Sequence, residues 1–245
     1  MTLLSENFLR DDTHPDRIVL TGLNIVLKDE LITPERDLIV RADTVTIPGK
    51  LSLPGRLVHI FARQVECAED AAIDVSGLAG MPDYTGMAKP MGAQEPGSPG
   101  ADGDNGGDGQ NGGEIKIVAQ ELNGNIHLFA KGGQGGKAQD GGDGVKGRRG
   151  PDGKKEVSES EKSKAHAENG KPGGMAGTAG IPGKGGNGGG IIVAIFNGVS
   201  DGQITADYSP GLPGAKAENG APGAGGDPGS RGSYLVWREG HNPIH

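Results

Sequence analysis

Apolar residues recur along the first third of the chain in short alternating bursts, and the bursts repeat at a spacing of about twenty residues. Ile18, Leu38 and Val58 align at that spacing, as do Leu20, Val40 and Ile60; Ile25, Val45 and Val65; and Leu27, Ile47 and Cys67. Alternation of apolar and polar positions is the period of a β-strand, and a repeat too short to bury a core alone predicts a stack of such repeats. The step from Ala42 to Val45 skips one residue, which predicts a bend between two strands. The pattern returns at Ile115, Ile117, Ala119 and Leu122 with Ile126 and Leu128, and again at Ile191, Val193 and Ile195 with Ile204 and Ala206. Residues 233–238 read as a last partial repeat. The expected fold class is therefore all-β, a short parallel β-solenoid of three uninterrupted rungs, two interrupted rungs and a fragment.

A second period interrupts the first. Glycine falls on every third residue from Gly97 to Gly112, Gly141 to Gly153, Gly174 to Gly189 and Gly211 to Gly232, with Ala217 as the lapse in the last run. Three residues per turn is the step of the polyproline-II helix, which has no internal hydrogen bonds. Each run leaves and rejoins the strand pattern at neighbouring rungs, only about 4.8 Å apart, so it must go out and come back. The expectation is polyproline-II hairpins inserted at one corner of the solenoid and packed as a bundle, their glycine faces letting backbone N–H meet a neighbouring C=O. The domain plan is an N-terminal cap over 1–17, rungs over 18–77, an insertion over 78–113, a rung over 114–131, an insertion over 132–190, a rung over 191–208, an insertion over 209–232, and a partial rung and tail over 233–245. A collagen triple helix shares the glycine step, but runs of four to seven triplets with little proline disfavour it.

On the strength of these four runs the chain resembles polyglycine-II bundle proteins: the glycine-rich domain of Obg-type GTPases, phage tail-fibre adhesins and snow-flea-type antifreeze proteins. The resemblance implies a glycine-helix bundle on a small β structure. It does not imply GTPase activity, because no GxxxxGK[ST] phosphate loop is present.

Composition narrows the function classes. Glycine makes up 48 of 245 residues, aromatic residues 3%, and the net charge is -8. An acidic chain argues against a nucleic-acid partner. One cysteine excludes an internal disulfide framework, and no stretch approaches the ~20 apolar residues of a membrane span. The first residues lack the pattern of a secretory signal, so the expected location is cytoplasmic, or outside the cell by a non-general export route.

Candidate chemistry is sparse. Calcium is the one metal alternative, through Asp102, Asp104, Asp108, Asp140 and Asp143, although the calcium-binding G-G-x-G-x-D-x-U-x frame fails at both starts tried, Gly106 and Gly141. The two GxGxxG matches lie inside glycine-triplet runs that generate them. Cys67 shares the register of Leu27 and Ile47 and reads as core. Tyr84, Met87, Met91, Lys154 and Lys155 fall near the expected hairpin tips and are the candidate binding residues. Ile39, Phe61, Val118 and Ile192 make the outer face of the first strand apolar too, which predicts a cover or an interface and hence an oligomer. The expected function is a non-enzymatic, rigid binding or adhesion protein that presents hairpin tips to a surface glycan or protein partner. Alternatives are a structural or assembly protein of a larger complex, and then an ice-binding protein or a β-helix carbohydrate-active enzyme.

Overall fold

A computed structural model describes residues 2–4, 8–89, 94–153, 166–200 and 202–230. Eleven described strands collect into two sheets. The strands are β1 (Thr2–Leu4), β2 (Phe8–Asp11), β3 (Arg17–Val26), β4 (Asp37–Ile47), β5 (Lys50–Ser52), β6 (Leu57–Cys67), β7 (Ala72–Asp74), β8 (Glu114–Asn123), β9 (Ile126–Phe129), β10 (Gly190–Ser200) and β11 (Ile204–Asp207). A seven-stranded sheet runs β1-β2-β3-β4-β6-β8-β10, and a four-stranded sheet runs β11-β9-β7-β5. Among the described residues no helix is long and apolar enough to cross a membrane.

Strand pairing follows the twenty-residue alignment. Ile18 lies beside Leu38, Leu38 beside Val58, Val58 beside Ile115, and Ile115 beside Ile191. The row Leu20, Val40, Ile60 and Ile117 is wholly shut from solvent. The smaller sheet turns Leu51, Ile73, Ile126 and Leu128 into the same core, joined by Leu31 from the 3-10 turn Asp29–Leu31. Burying each such side chain contributes about 1.5–3 kcal/mol. Ion pairs stitch neighbouring strands on the outside, as Lys50 to Asp74 at 2.8 Å and Arg63 to Asp43 at 2.9 Å do. At the N-terminal edge the direction reverses: β2 pairs antiparallel with β3, and Phe8, opposite Gly22, drops into the core.

This architecture corrects the expected one. The bend expected at Ala42 to Val45 does not form, because the skipped residue makes no corner. Leu23, Asp43 and Arg63 are left out of the pairing and stand exposed, while each strand runs on past them unbroken. Two sheets result, the larger one mixed in direction, rather than a parallel β-solenoid. Nor do the glycine runs form a bundle of polyproline-II hairpins apart from the sheets. Residues 106–113, 130–137, 182–189 and 208–215 belong to the same compact unit as the strands. Side-chain carboxylates, amides and ion pairs hold the runs together along with the backbone, which bare glycine faces would not need. The collagen-like description falls with it.

Two compact units divide the chain. One comprises Met1–Asp83, Gly106–Lys137 and Pro182–Ala215; the other comprises Tyr84–Asn105, Ala138–Ile181 and Lys216–His245. The first contains both sheets. In the second, the described residues form no strand, and segments are tied by backbone bonds at every third residue. Gly141, Gly144, Gly147, Gly150 and Gly153 donate in turn to the carbonyls of Glu218, Ala221, Ala224, Asp227 and Ser230 at 2.8–3.0 Å. Gly174, Gly177 and Gly180 donate to Val145, Gly142 and Gln139. Glycine is required here because a Cβ at Gly177 would run into the Ala101 carbonyl.

Candidate functional site

Four of the five acidic residues singled out for calcium turn out to accept backbone amides. Asp102 Oδ1 accepts both the amide and the hydroxyl of Thr178 at 2.8 Å. Asp108 accepts the Lys184 amide at 2.7 Å, Asp140 the Glu218 amide at 3.0 Å and Asp143 the Ala221 amide at 2.6 Å. Asn105, Asn111 and Asp152 do the same for Ile181, Asn187 and Ser230. The partner is 76 residues ahead in one set and 78 in the other. Asn and Asp are interchangeable in this role, since an amide oxygen and a carboxylate oxygen both accept. The Thr178 amide holds the Asp102 carboxyl below the usual carboxylate range. Asp104 instead receives the Tyr84 hydroxyl at 3.4 Å. Among the described residues, no three His, Cys, Asp or Glu side chains come together as a metal site.

The proposed tip residues divide. Tyr84 is half-buried with its hydroxyl turned to Asp104, and Met87 is 42% exposed and bridges to Asp140 through its backbone. Met91, Lys154 and Lys155 lie outside the described residues. Cys67 is half-buried, and burial pushes its thiol up to about 11, so it stays protonated at neutral pH.

The outward face of the larger sheet is less apolar than the alternation suggests. Pairing sets Ile39 and Ile192 in one row with Val19, His59 and Lys116, and Phe61 and Val118 in the next with Thr21, Arg41 and Ala194. His59 Nε2 donates to Glu114 at 2.9 Å, and the Lys116 ammonium lies 5.9 Å from the centre of the Phe61 ring. Ile39, Phe61 and Val118 are half-buried; Ile192 is the exposed member.

Three exposed apolar side chains fall instead on a single strand, β10, at one end of the larger sheet. Strand β10 pairs on one side with β8, and no described strand pairs its other side. It carries no charged residue, and Ile192, Phe196 and Val199 are 50%, 72% and 40% exposed. Its inward residues Ile191 and Val193, with Ile204 of β11, are only partly buried, whereas their counterparts Ile115, Ile117 and Ile126 are completely so. Among the described residues the core is open at this end; residues 233–238, expected as a last partial rung, lie outside them. Sequence alignment treats every rung alike, so it brought out Ile192 but not Phe196 or Val199. The Asp and Asn acceptors had a signal that went unread: each stands immediately before a glycine of the three-residue step, as Asp102, Asn105, Asp108 and Asn111 do before Gly103, Gly106, Gly109 and Gly112.

The comparisons add no support for the resemblance to polyglycine-II bundle proteins, which is withdrawn together with the architecture that carried it. No family model, no curated protein and no solved structure matches this chain.

Proposed function

We propose that the protein is a non-catalytic binding and assembly module whose docking surface is the open end of its sheets at β10 and β11. One observation carries this reading. An eleven-residue edge strand without a charge leaves Ile191 and Val193 partly uncovered, where the strands before it bury the equivalent residues fully. Edge strands are normally blunted by lysine, proline or brevity, because unpaired N–H and C=O groups template another strand. An edge kept long and apolar is suited to receiving one. Recognition through Tyr84 and Met87 draws less support, since both already have partners inside the protein.

Hydrogen exchange tests the reading. In dilute protein the β10 amides should exchange much faster than those of β4 and β6, and gain protection when the partner binds. If β10 is as protected as β4 in a monomer at every dilution, the chain covers its own edge and the reading fails.

A further inference from the structure

Resting on that reading, we infer that the partner at the open end is a second copy of this chain, joined across a two-fold axis so that β10 meets β10 and β11 meets β11.

The two ends of the sheets differ in a way that selects this occupant. Among the described strands both sheets stop together at the β10 end: β10 and β11 pair with β8 and β9, which are likewise consecutive in the chain. A second molecule placed there can continue both sheets at once. A two-fold contact sets each residue patch against itself, so any net charge would meet its like. This end satisfies that condition. Strand β10 has no charge, and the Asp207 carboxylate at the end of β11 is already engaged by the Ser209 amide at 3.1 Å and Lys131 at 3.7 Å. The register shift in β10 falls between Ile195 and Gly198, which leaves Gly190 to Ile195 regular for pairing.

The opposite end cannot serve as the complement. There the larger sheet ends on β1, only three residues long, and β2 puts Phe8 into the core. Charge surrounds it: Arg10 pairs with Asp12 at 2.9 Å, and Arg36 pairs with Asp12 at 3.1 Å while also donating to the carbonyls of His14 and Arg17. An edge of three residues beside these charges gives head-to-tail stacking a poor seat. A molecule with one long apolar edge among its described strands forms a closed pair rather than a filament.

Light scattering on the full chain through a dilution series tests this directly, with hydrogen exchange on the same samples. The expected result is a dimer that dissociates on dilution, with β10 losing protection in step. Ile192→Lys with Phe196→Lys should weaken the dimer at least about tenfold. At dilutions where both proteins are monomers its thermal melt should stay near that of the parent, because both side chains are exposed. In a Cys67→Ala background, at least one of Ile192→Cys, Ala194→Cys and Phe196→Cys should oxidise to a disulfide-linked dimer, since antiparallel copies of one strand meet at the axis. A monomer with unprotected β10 overturns the inference but leaves a different protein partner open. Open-ended polymers, or a dimer in which none of the three cysteines cross-links, also overturn it. A monomer with β10 fully protected removes both the inference and the function proposed above.

Discussion

The two units of this chain solve the same problem with opposite means. Apart from Ala88 and Ala138, every core residue named as buried lies in the unit that contains the sheets. That unit is held by Ile, Leu and Val packed between two sheets, with hydrogen bonds serving mainly to leave no backbone group unpaired. Among its described residues the other unit buries little apart from those two alanines and glycine backbone, and they are held by evenly spaced hydrogen bonds. An individual bond nets only about 0.5–1.5 kcal/mol, but leaving its donor buried and unpaired costs about 1–3 kcal/mol. Regularity therefore matters more there than any single contact. The lesson is that glycine acts as a packing residue in one unit as isoleucine does in the other, each chosen for what it allows to approach.

The largest expected effect lies in the sheets. Ile60→Ala removes a side chain with no exposure from the middle row of the core, and should cost about 2–5 kcal/mol in urea unfolding. A loss under half that would mean that the core has slack. Next comes a pair of glycines in the other unit. Gly177→Ala drives a methyl group into the Ala101 carbonyl and should cost about 1–3 kcal/mol, seen as faster exchange of the Gly177 and Gly180 amides. At Gly225 a Cβ meets nothing within 4 Å, so Gly225→Ala should stay within about 0.5 kcal/mol. Equal effects at the two glycines would erase the contrast between the units.

A smaller effect separates acceptor from charge. Asp102→Ala should expose the Thr178 amide to faster exchange, whereas Asp102→Asn should keep it protected, as Asn105 and Asn111 do natively for Ile181 and Asn187. If Asp102→Asn fails like Asp102→Ala, the carboxylate has a task beyond accepting, and addition of EDTA would show whether that task is calcium. The smallest effect is on pH. The Thr178 amide lowers Asp102 and the Lys146 ammonium lowers Asp227. A lowered folded value contributes stability that is complete above the ordinary carboxylate value of 3.8 and fades as pH falls through the lowered one. Acid should therefore loosen the amides of Thr178 and its neighbours before those of β4.

The sequence made much of this legible and misread some of it. The alignment of Ile18, Leu38 and Val58 is the pairing register itself, because a period-two strand with one buried face tolerates no slip. The glycine step likewise marks the donors correctly at Gly141, Gly144 and Gly147. The corner expected at Ala42 to Val45 failed because Asp43 and Arg63 leave the ladder outward and pair with each other, so the strand absorbs the extra residue. The calcium alternative arose from aspartates clustered among the glycines of two separate runs, at 102–108 and 140–143. Asp102, Asp108, Asp140 and Asp143 accept amides 76 or 78 residues away, beyond any local motif. The exposure of Phe196 was invisible for a different reason: a repeat shows what stacks, not where the stack ends.

The claim that spaced hydrogen bonds, rather than an apolar core, hold the second unit is tested most directly by residue-resolved amide exchange along residues 141–153. Gly144, Gly147 and Gly150, which donate to Ala221, Ala224 and Asp227, should exchange slowly, while Arg148 and Arg149 between them exchange fast. Uniformly fast exchange across the segment, with no three-residue rhythm, would contradict the account.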